Sequence, residues 1–392
     1  MCYVVALKGL KGLKVLDSNG HWTLLVEAMA GRFKARAIVP AGSSKGLHEA
    51  RVVKVDTAVK RVKALSVKLR GESLDCIDPH LVQEPGNVST GVSMAVHRLM
   101  AKVQGLELFQ YFGGVTLPRP FFNVINGGLH AGNKLAFQEY MIAPQGKTFR
   151  EMLEVGARVY QSLREYLIDK HGRASINVGL EGGFAPPMIN VEEPLRVIKK
   201  VLSDLGLSKK VDLGIDAAAS QFFDNDRYVV NNNRLTIDEL TVLYQRLVKD
   251  YGLVTIEDPF FEEDFDSFAR LTNLLKGKAR VIGDDLLVSN PSRVKLGVIK
   301  AACNCLLLKV NQVGTVSKAM ESVRKARAAS WEVMVSHRSG DSCDSFISDL
   351  AVGLNASMIK SGAPARGERV AKYNRLLEIE ELLGGKTRYS SL

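Results

Sequence analysis

Four apolar runs in the second half of this chain each end in an ionisable residue. Asp216 follows VDLGI, Glu257 follows LVTI, Asp284 follows RVIG and Lys309 follows CLLL. The intervals between the runs are long enough for a strand and a returning helix, which is the spacing of a parallel β/α barrel. Because such a barrel brings its strand ends together at one face, we predict that three carboxylates and a lysine face one pocket.

The residue types in this pocket favour a hard metal ion. Carboxylate oxygens suit magnesium, which usually keeps some positions for water or substrate. Zinc is disfavoured because no histidine or cysteine accompanies the acids. We therefore predict that Asp216, Glu257 and Asp284 bind magnesium, with Lys309 as a base beside it. Each acid taken alone could instead cap a helix or form an ion pair at a strand end.

The length of the chain, 392 residues, exceeds what one hydrophobic core usually serves. We expect a smaller α+β N-terminal capping domain over residues 1–117 and a catalytic β/α barrel over residues 118–392. The first domain should contain two strand-like stretches followed by helices over about residues 49–69 and 92–103. The glycines and prolines of QYFGGVTLPRP mark the boundary.

Eight strand-like runs follow that boundary. In order they are NVIN, EYMIA, NVGLE, VDLGID, LVTIE, RVIGD, CLLLK and EVMVSH. The first two are too close together for a helix between them. The predicted fold is therefore an α/β barrel that opens irregularly and then continues in β/α units.

The amino-acid composition indicates which cellular compartment and which partners to expect. Hydrophobic residues make up 46% and charged residues 24%, as in ordinary globular proteins, and neither a membrane span nor a signal peptide is evident. Five scattered cysteines suit a reduced compartment, so we expect a cytoplasmic protein. Cys303 and Cys305 alternate at the start of an apolar run and are expected to pack rather than bind metal.

The formal net charge is +11, which raises the question of nucleic-acid binding. The lysines and arginines are spread along the whole chain, without a basic run or interleaved aromatic residues. Nucleic acid is therefore an unlikely partner. A small anionic substrate, or only a solvated basic surface, explains the charge better.

Seven stretches between about residues 120 and 383 match a known family in order. They are NVINGGLHAGNKLAFQEYMIAPQG, NVGLEGGFAP, TIEDPFFEEDF, VIGDDLLVSNP, LLLKVNQVGTVSKA, MVSHRSGDSCDSFISDLAVGL and IKSGAPARGERVAKYNRLLEIEEL, with VPAGSSKGLHEA as a weaker N-terminal match. The chain resembles enolase, the phosphopyruvate hydratase of glycolysis. The resemblance implies a lyase that reversibly dehydrates 2-phospho-D-glycerate to phosphoenolpyruvate with magnesium.

The resemblance also implies roles for individual residues. Lys309 matches the base that removes the C2 proton, and Glu181 matches the acid that helps the C3 hydroxyl to leave. Asp216, Glu257 and Asp284 match the magnesium ligands, and Ser44 matches a mobile-loop serine that joins a second metal ion. The remaining matches are a second acidic residue, Glu139, a substrate contact, Gln138, and groups that hold the substrate's phosphate and carboxylate, namely His130, His337, Arg338, Ser339 and Lys360.

Some of these matches have plainer interpretations. His130 could be a core histidine, and Glu139 could be an edge-strand carboxylate.

A lysine base must lose its proton near neutral pH, so we expect burial and nearby positive charge to lower the pKa of Lys309. We predict that His48 and Glu49 lie where a loop meets the start of a helix, and that neither residue has a catalytic role.

The chain departs from the family pattern at several places, and two of them concern the acid and the subunit contacts. Leu180 stands where the family has an aspartate beside the acid, so Glu181 loses an anionic neighbour but gains an apolar one. Asn19, His21 and Trp22 replace family residues near the N-terminus, where position 19 contributes to subunit contacts. A homodimer is therefore expected to have an altered interface.

Two other functions fit the same sequence. A divergent enolase paralogue could act mainly by binding a polyanion or an anionic surface, as the net charge and Leu180 suggest. Alternatively, the enzyme could act on a related 2-hydroxy or 2-phospho acid. His337, Arg338 and Ser339 favour a substrate that carries phosphate.

Overall fold

The computed structural model describes residues 5–43 and 46–390. Ser44, the predicted ligand of a second metal ion, therefore lies outside the described residues. In the described part of the chain, no helix combines the length and apolar character needed to cross a membrane.

The secondary structure alternates along most of the chain. The strands are β1 Gly9–Leu16, β2 Trp22–Ala30, β3 Phe33–Ile38, β4 Thr116–Leu117, β5 Arg119–Asn126, β6 Glu139–Pro144, β7 Val211–Asp216, β8 Phe223–Asp224, β9 Arg227–Val230, β10 Asn233–Leu235, β11 Leu253–Glu257, β12 Arg280–Gly283, β13 Cys305–Leu308, β14 Glu332–Ser336, β15 Met358–Lys360 and β16 Arg388–Tyr389. The α-helices are α1 Val55–Lys68, α2 Ile77–His80, α3 Gly86–Val103, α4 Leu108–Phe112, α5 Phe149–His171, α6 Glu193–Asp204, α7 Ile237–Tyr251, α8 Phe265–Leu274, α9 Pro291–Ile299, α10 Val310–Val313, α11 Val316–Ala328, α12 Phe346–Gly353 and α13 Gly367–Leu383.

The N-terminal part is an antiparallel sheet, β1-β2-β3, with α1 and α3 against it. The predicted helix start near residue 49 is wrong, because α1 begins at Val55. Residue 50 is instead held at the barrel, where its N–H donates to the Gln312 carbonyl. The start predicted near residue 92 is also late, because α3 begins at Gly86. Its first turns, GNVSTG, are buried except at Asn87 and show no apolar period.

The barrel closes in the order β5-β6-β7-β11-β12-β13-β14-β15. Strand β6 is antiparallel to both of its neighbours, and every other pairing is parallel. Helices α5 and α6 separate β6 from β7, the small sheet β8–β10 and helix α7 separate β7 from β11, and helices then lie between the remaining barrel strands. The irregular opening is thus confirmed, as is the α/β barrel with a smaller α+β domain.

One of the eight predicted strands is wrong. NVGLE, residues 177–181, forms a turn with isolated bridges and is not a barrel strand. Glycines on both sides of Glu181 explain the turn, and Gly182 has a φ of 84°, which favours glycine. The eighth barrel strand is β15, which has only three residues and therefore no readable alternation.

The interior of the barrel is filled by apolar side chains. They are Phe121, Met141, Ala143, Ile282, Cys305, Leu307, Met334 and Met358. Cys305 thus packs in this core, and Cys303 is buried in the larger one. A filled interior leaves only the ends of the barrel for a site.

Candidate active site

One end of the barrel collects the ionisable residues. Asp216 and Glu257 are the last residues of β7 and β11, and Lys360 is the last residue of β15. Asp284 and Lys309 directly follow β12 and β13. These five positions share one end because their strands are parallel.

The antiparallel strand β6 contributes from the opposite direction. Its first residue, Glu139, lies beside Asp216 of β7, and Gln138 precedes it. The side-chain amide of Gln138 donates to Asp216 Oδ2 at 3.0 Å and accepts from Gln221 at 2.6 Å. The antiparallel start of the barrel therefore places a strand beginning, rather than a strand end, in the site.

Lys360 is the central cation of the site. Its Nζ lies 2.8 Å from Glu257, 3.0 Å from Glu139 and 3.7 Å from Asp216. All four side chains are at most 2% exposed. Burial alone would lower the pKa of Lys360, but these carboxylates outweigh it and hold the pKa well above its usual value.

Lys309 forms a close ion pair with Asp284, whose other oxygen accepts from Gln312 Nε2 at 2.9 Å. Burial favours the neutral amine, but the charge of Asp284 raises the pKa of Lys309 above its usual value. The lowered pKa expected for this lysine is therefore wrong for the protein alone. A cation that shared Asp284 would weaken this effect and favour the neutral amine of Lys309.

Glu181 lies between two imidazoles. Its Oε1 is 3.4 Å from His337 Nε2 and 3.5 Å from His130 Nδ1, and its Oε2 accepts from Asn123 at 2.9 Å. Burial would raise the pKa of Glu181, but its interactions with His337 and His130 hold it well below its usual value. Burial and the nearby Glu181 raise the pKa of Glu139. The two acids are therefore driven to different protonation states.

Leu180 influences this region through its backbone. Its N–H donates to the His130 carbonyl, and its carbonyl accepts from Arg369 at 2.8 Å. The side chain is half-buried. The turn that holds Glu181 is thus anchored without the aspartate that the family pattern has at position 180.

The segment after β14 carries His337, Arg338 and Ser339, all buried. The hydroxyl of Ser339 accepts from the Ser43 N–H at 2.7 Å. The guanidinium of Arg338 pairs with Glu49 at 2.9 Å and donates to Asn311 at 3.3 Å. These groups bring the segment after β3 onto the mouth of the barrel.

The donors at this end fit divalent cations. Burial and the charge of Asp216 raise the pKa of Glu257 well above its usual value, even though Lys360 lies beside it. Asp258, Asp284 and Asp285 have ligand oxygens within 4.8 Å of one another, as do ligand atoms of His130, Glu139 and Glu181. An oxygen-rich, anionic set of this kind suits magnesium. Asp216, Glu257 and Asp284 as its ligands stay a prediction.

Three functional candidates were missed from the sequence. Glu49 was assigned no role, yet it faces Arg338. Asp258 accepts the backbone N–H groups of Asp284 and Asp285 at 2.9 and 2.7 Å, and its place directly after Glu257 was an available signal. Arg369 is fully buried on α13, but nothing in the sequence indicates this, because an arginine in a helix rich in charged residues is usually exposed.

Comparison with known proteins agrees with this architecture. Residues 114–392 match the family model described as "Enolase, C-terminal TIM barrel domain". The chain is 44% identical to the enolase of Aeropyrum pernix over 98% of this chain and 96% of the relative. It is 44% identical to the enolase of Methanopyrus kandleri, over 97% and 96%, and 43% identical to that of Methanosarcina mazei, over 97% and 95%. From the fold, the site and these similarities, the chain belongs to the enolase family.

Proposed function

We propose that this protein is a working enolase, which reversibly dehydrates 2-phospho-D-glycerate to phosphoenolpyruvate in glycolysis and gluconeogenesis. The observation that carries the proposal is the collection of buried carboxylates around Lys309 and Lys360 at one barrel end. A lysine or histidine base with one or two magnesium ions is the established pattern of the enolase superfamily, so its occurrence here is a match and not a new derivation.

A residue can be assigned to each step of the reaction. Lys309 takes the proton from C2, and Glu181 donates a proton to the departing C3 hydroxyl. Removal of a proton beside a carboxylate leaves a second negative charge on that carboxylate group, and Lys360 contributes a fixed positive charge against it. Gln138, Glu139 and His130 contact the substrate around this centre.

Magnesium would be held by Asp216, Glu257 and Asp284, and a second ion would involve Ser44. When bound, it supplies positive charge that stabilises the developing negative charge of the substrate. His337, Arg338 and Ser339 bind the phosphate, for which the planar guanidinium is suited because it can donate two parallel hydrogen bonds.

The cellular setting completes the proposal. The protein acts in the cytoplasm on a small-molecule substrate, with residues 1–117 as a capping domain and residues 118–392 as the catalytic barrel. It forms a homodimer whose interface differs from the family pattern at Asn19, His21 and Trp22. Trp22 is 56% exposed in the single chain, which leaves it available to such a contact.

A turnover assay tests substrate, reaction and metal together. Purified protein with 2-phosphoglycerate and magnesium should develop the ultraviolet absorbance of phosphoenolpyruvate. A chelator should abolish that signal, and added magnesium should restore it. Absence of turnover in the presence of magnesium would refute the proposal.

A further inference from the structure

The guanidinium of Arg369 lies behind the strand ends. This side chain of α13 is fully buried, and its two terminal nitrogens contact four acceptors. One nitrogen donates to His337 Nδ1 and to the Arg338 carbonyl, both at 2.6 Å. The other donates to the carbonyls of Ser339 at 2.7 Å and Leu180 at 2.8 Å. Arg369 therefore joins the segment after β14 to the turn that holds Glu181.

This arrangement determines the tautomer of His337. A guanidinium donates hydrogen bonds and cannot accept them, so Nδ1 of His337 must be the unprotonated nitrogen. Burial lowers the pKa of His337 to about 4, and the charge of Arg369 acts in the same direction. The ring is therefore neutral near pH 7, with its single proton on Nε2. That nitrogen lies 3.4 Å from Glu181 Oε1, close enough for an electrostatic interaction but without a hydrogen bond.

The tautomer bears on the state of the acid. An N–H close to a carboxylate favours its ionised form. In the opposite tautomer, the lone pair of Nε2 would face Glu181, and only a protonated carboxyl could satisfy it. The choice of tautomer thus changes how readily Glu181 keeps a proton.

We propose that Arg369 is a positioning residue that fixes the Nε2 tautomer of His337 and thereby sets the protonation behaviour of Glu181. The tautomer depends on geometry alone, whereas its effect on turnover rests on the proposed function, in which Glu181 is the acid. Arg369 does not touch the reacting atoms in this assignment. It acts through His337 and through the carbonyl of Leu180.

Nitrogen NMR of the protein labelled with ¹⁵N-histidine tests the tautomer without substrate. His337→Gln identifies the His337 signals by their loss. The wild-type ring should be protonated at Nε2 and unprotonated at Nδ1 between pH 5 and pH 8. In Arg369→Met, the ring should populate both tautomers and gain a proton at higher pH. A wild-type ring protonated at Nδ1, or an unchanged tautomer in Arg369→Met, would overturn the proposal.

Kinetics test the consequence for the acid. Arg369→Met should shift the pH dependence of kcat, because Glu181 then keeps its proton to higher pH. The pH limb of kcat that reports Glu181 should move to higher pH. His337→Gln keeps an N–H near Glu181 without a tautomer to control, so Arg369→Met should move the limb much less in that background. Equal shifts in both backgrounds, or an unmoved limb, would contradict the assignment.

Two further variants separate positioning from folding. Arg119 is also a buried arginine that donates to backbone carbonyls, at Ala143 and Pro144, but at the other end of β5 and β6. Arg119→Lys should lower stability and leave the His337 tautomer unchanged. If Arg369→Met does not fold, Arg369→Lys should show the same changes in smaller measure, and its absence of effect would count against the proposal. Failure of the wild type to turn over 2-phosphoglycerate would refute the proposed function but not the tautomer.

Discussion

The guanidinium of Arg338 forms a bidentate ion pair with the carboxylate of Glu49, at 2.9 Å from Oε1 and 3.2 Å from Oε2. The two side chains are only 5% and 9% exposed. Both terminal nitrogens of the guanidinium therefore face a carboxylate from the N-terminal part. A substrate phosphate at Arg338 must compete with that carboxylate or share the guanidinium with it.

We predict that Glu49→Gln strengthens phosphate binding. The amide keeps the shape of the side chain but removes the competing charge, and one charge-assisted bond corresponds to about 1.5 kcal/mol, or roughly tenfold in affinity. The dissociation constant of inorganic phosphate, measured by calorimetry, should fall. Glu84→Gln is the matched control, since Glu84 pairs with Arg61 away from the site. Weaker phosphate binding in Glu49→Gln would show that Glu49 only holds Arg338 in place.

The base assignment predicts a specific loss in Lys309→Ala. Exchange of the substrate C2 proton with solvent should fall by about a hundredfold or more, since a positioned base contributes about that much. Mass spectrometry of substrate incubated in D₂O measures the exchange. Glu181→Gln is the control, because it removes the acid and leaves the base, so exchange should persist while net dehydration is lost. Retained exchange in Lys309→Ala would disprove the role of this lysine.

The sequence predicts some parts of this site well and others poorly, for physical reasons. Asp216, Glu257, Asp284 and Lys309 end apolar runs of four or five residues, long enough for a strand signal. Lys360 ends a strand of three residues, so only family resemblance indicated it. Glu181 lies on a turn that the neighbouring glycines make possible, although the sequence pattern around it predicts a strand. Pairings such as Glu49 with Arg338 join positions 289 residues apart, which no local pattern encodes.

Asp258 should matter for metal binding although it is not a predicted ligand. Its carboxylate accepts the backbone N–H groups of Asp284 and Asp285 and so orients the chain at a predicted ligand. Loss of such a supporting group typically costs about tenfold to a hundredfold in metal affinity. Calorimetric titration of Asp258→Asn with magnesium should show this weakening. Asp264→Asn, which alters the N-cap of α8, should bind magnesium normally. Unchanged affinity in Asp258→Asn would refute the supporting role.

Leu180→Asp tests the departure beside the acid. The pKa of Glu181 lies well below its usual value, and a second anion next to it disfavours the ionised form, so the pKa should rise. The pH limb of kcat that reports Glu181 should therefore move to higher pH. Leu180→Asn is the matched control, because it has nearly the same shape without the charge and should leave the limb in place. A limb that moves equally in both variants would assign the effect to polarity or packing.

The contact between α3 and the barrel predicts how stability depends on pH. Arg98 makes two hydrogen bonds of 2.7 Å to Asp344, which also accepts the backbone N–H groups of Ile38 and Phe346. Burial alone would raise the pKa of Asp344, but Arg98 and these bonds lower it below its usual value. A folded-state pKa below the unfolded one means that the stabilisation is complete above the unfolded value of about 3.9. It is lost as the pH falls through the folded-state value.

Asp344→Asn should therefore lower the free energy of unfolding by about 3 kcal/mol at neutral pH, because it leaves the charge of Arg98 without its partner. The difference from the wild type should stay constant above about pH 5 and shrink below pH 4, where Asp344 of the unfolded wild-type chain takes up a proton and then, at lower pH, so does the folded protein. Urea unfolding between pH 3 and pH 7 measures both effects. Asp56→Asn, which removes a more exposed ion pair with Lys14, should change stability little at any pH. A difference for Asp344→Asn that persists undiminished as the carboxyl is protonated would show that packing, and not the charge of Asp344, holds α3 to the barrel.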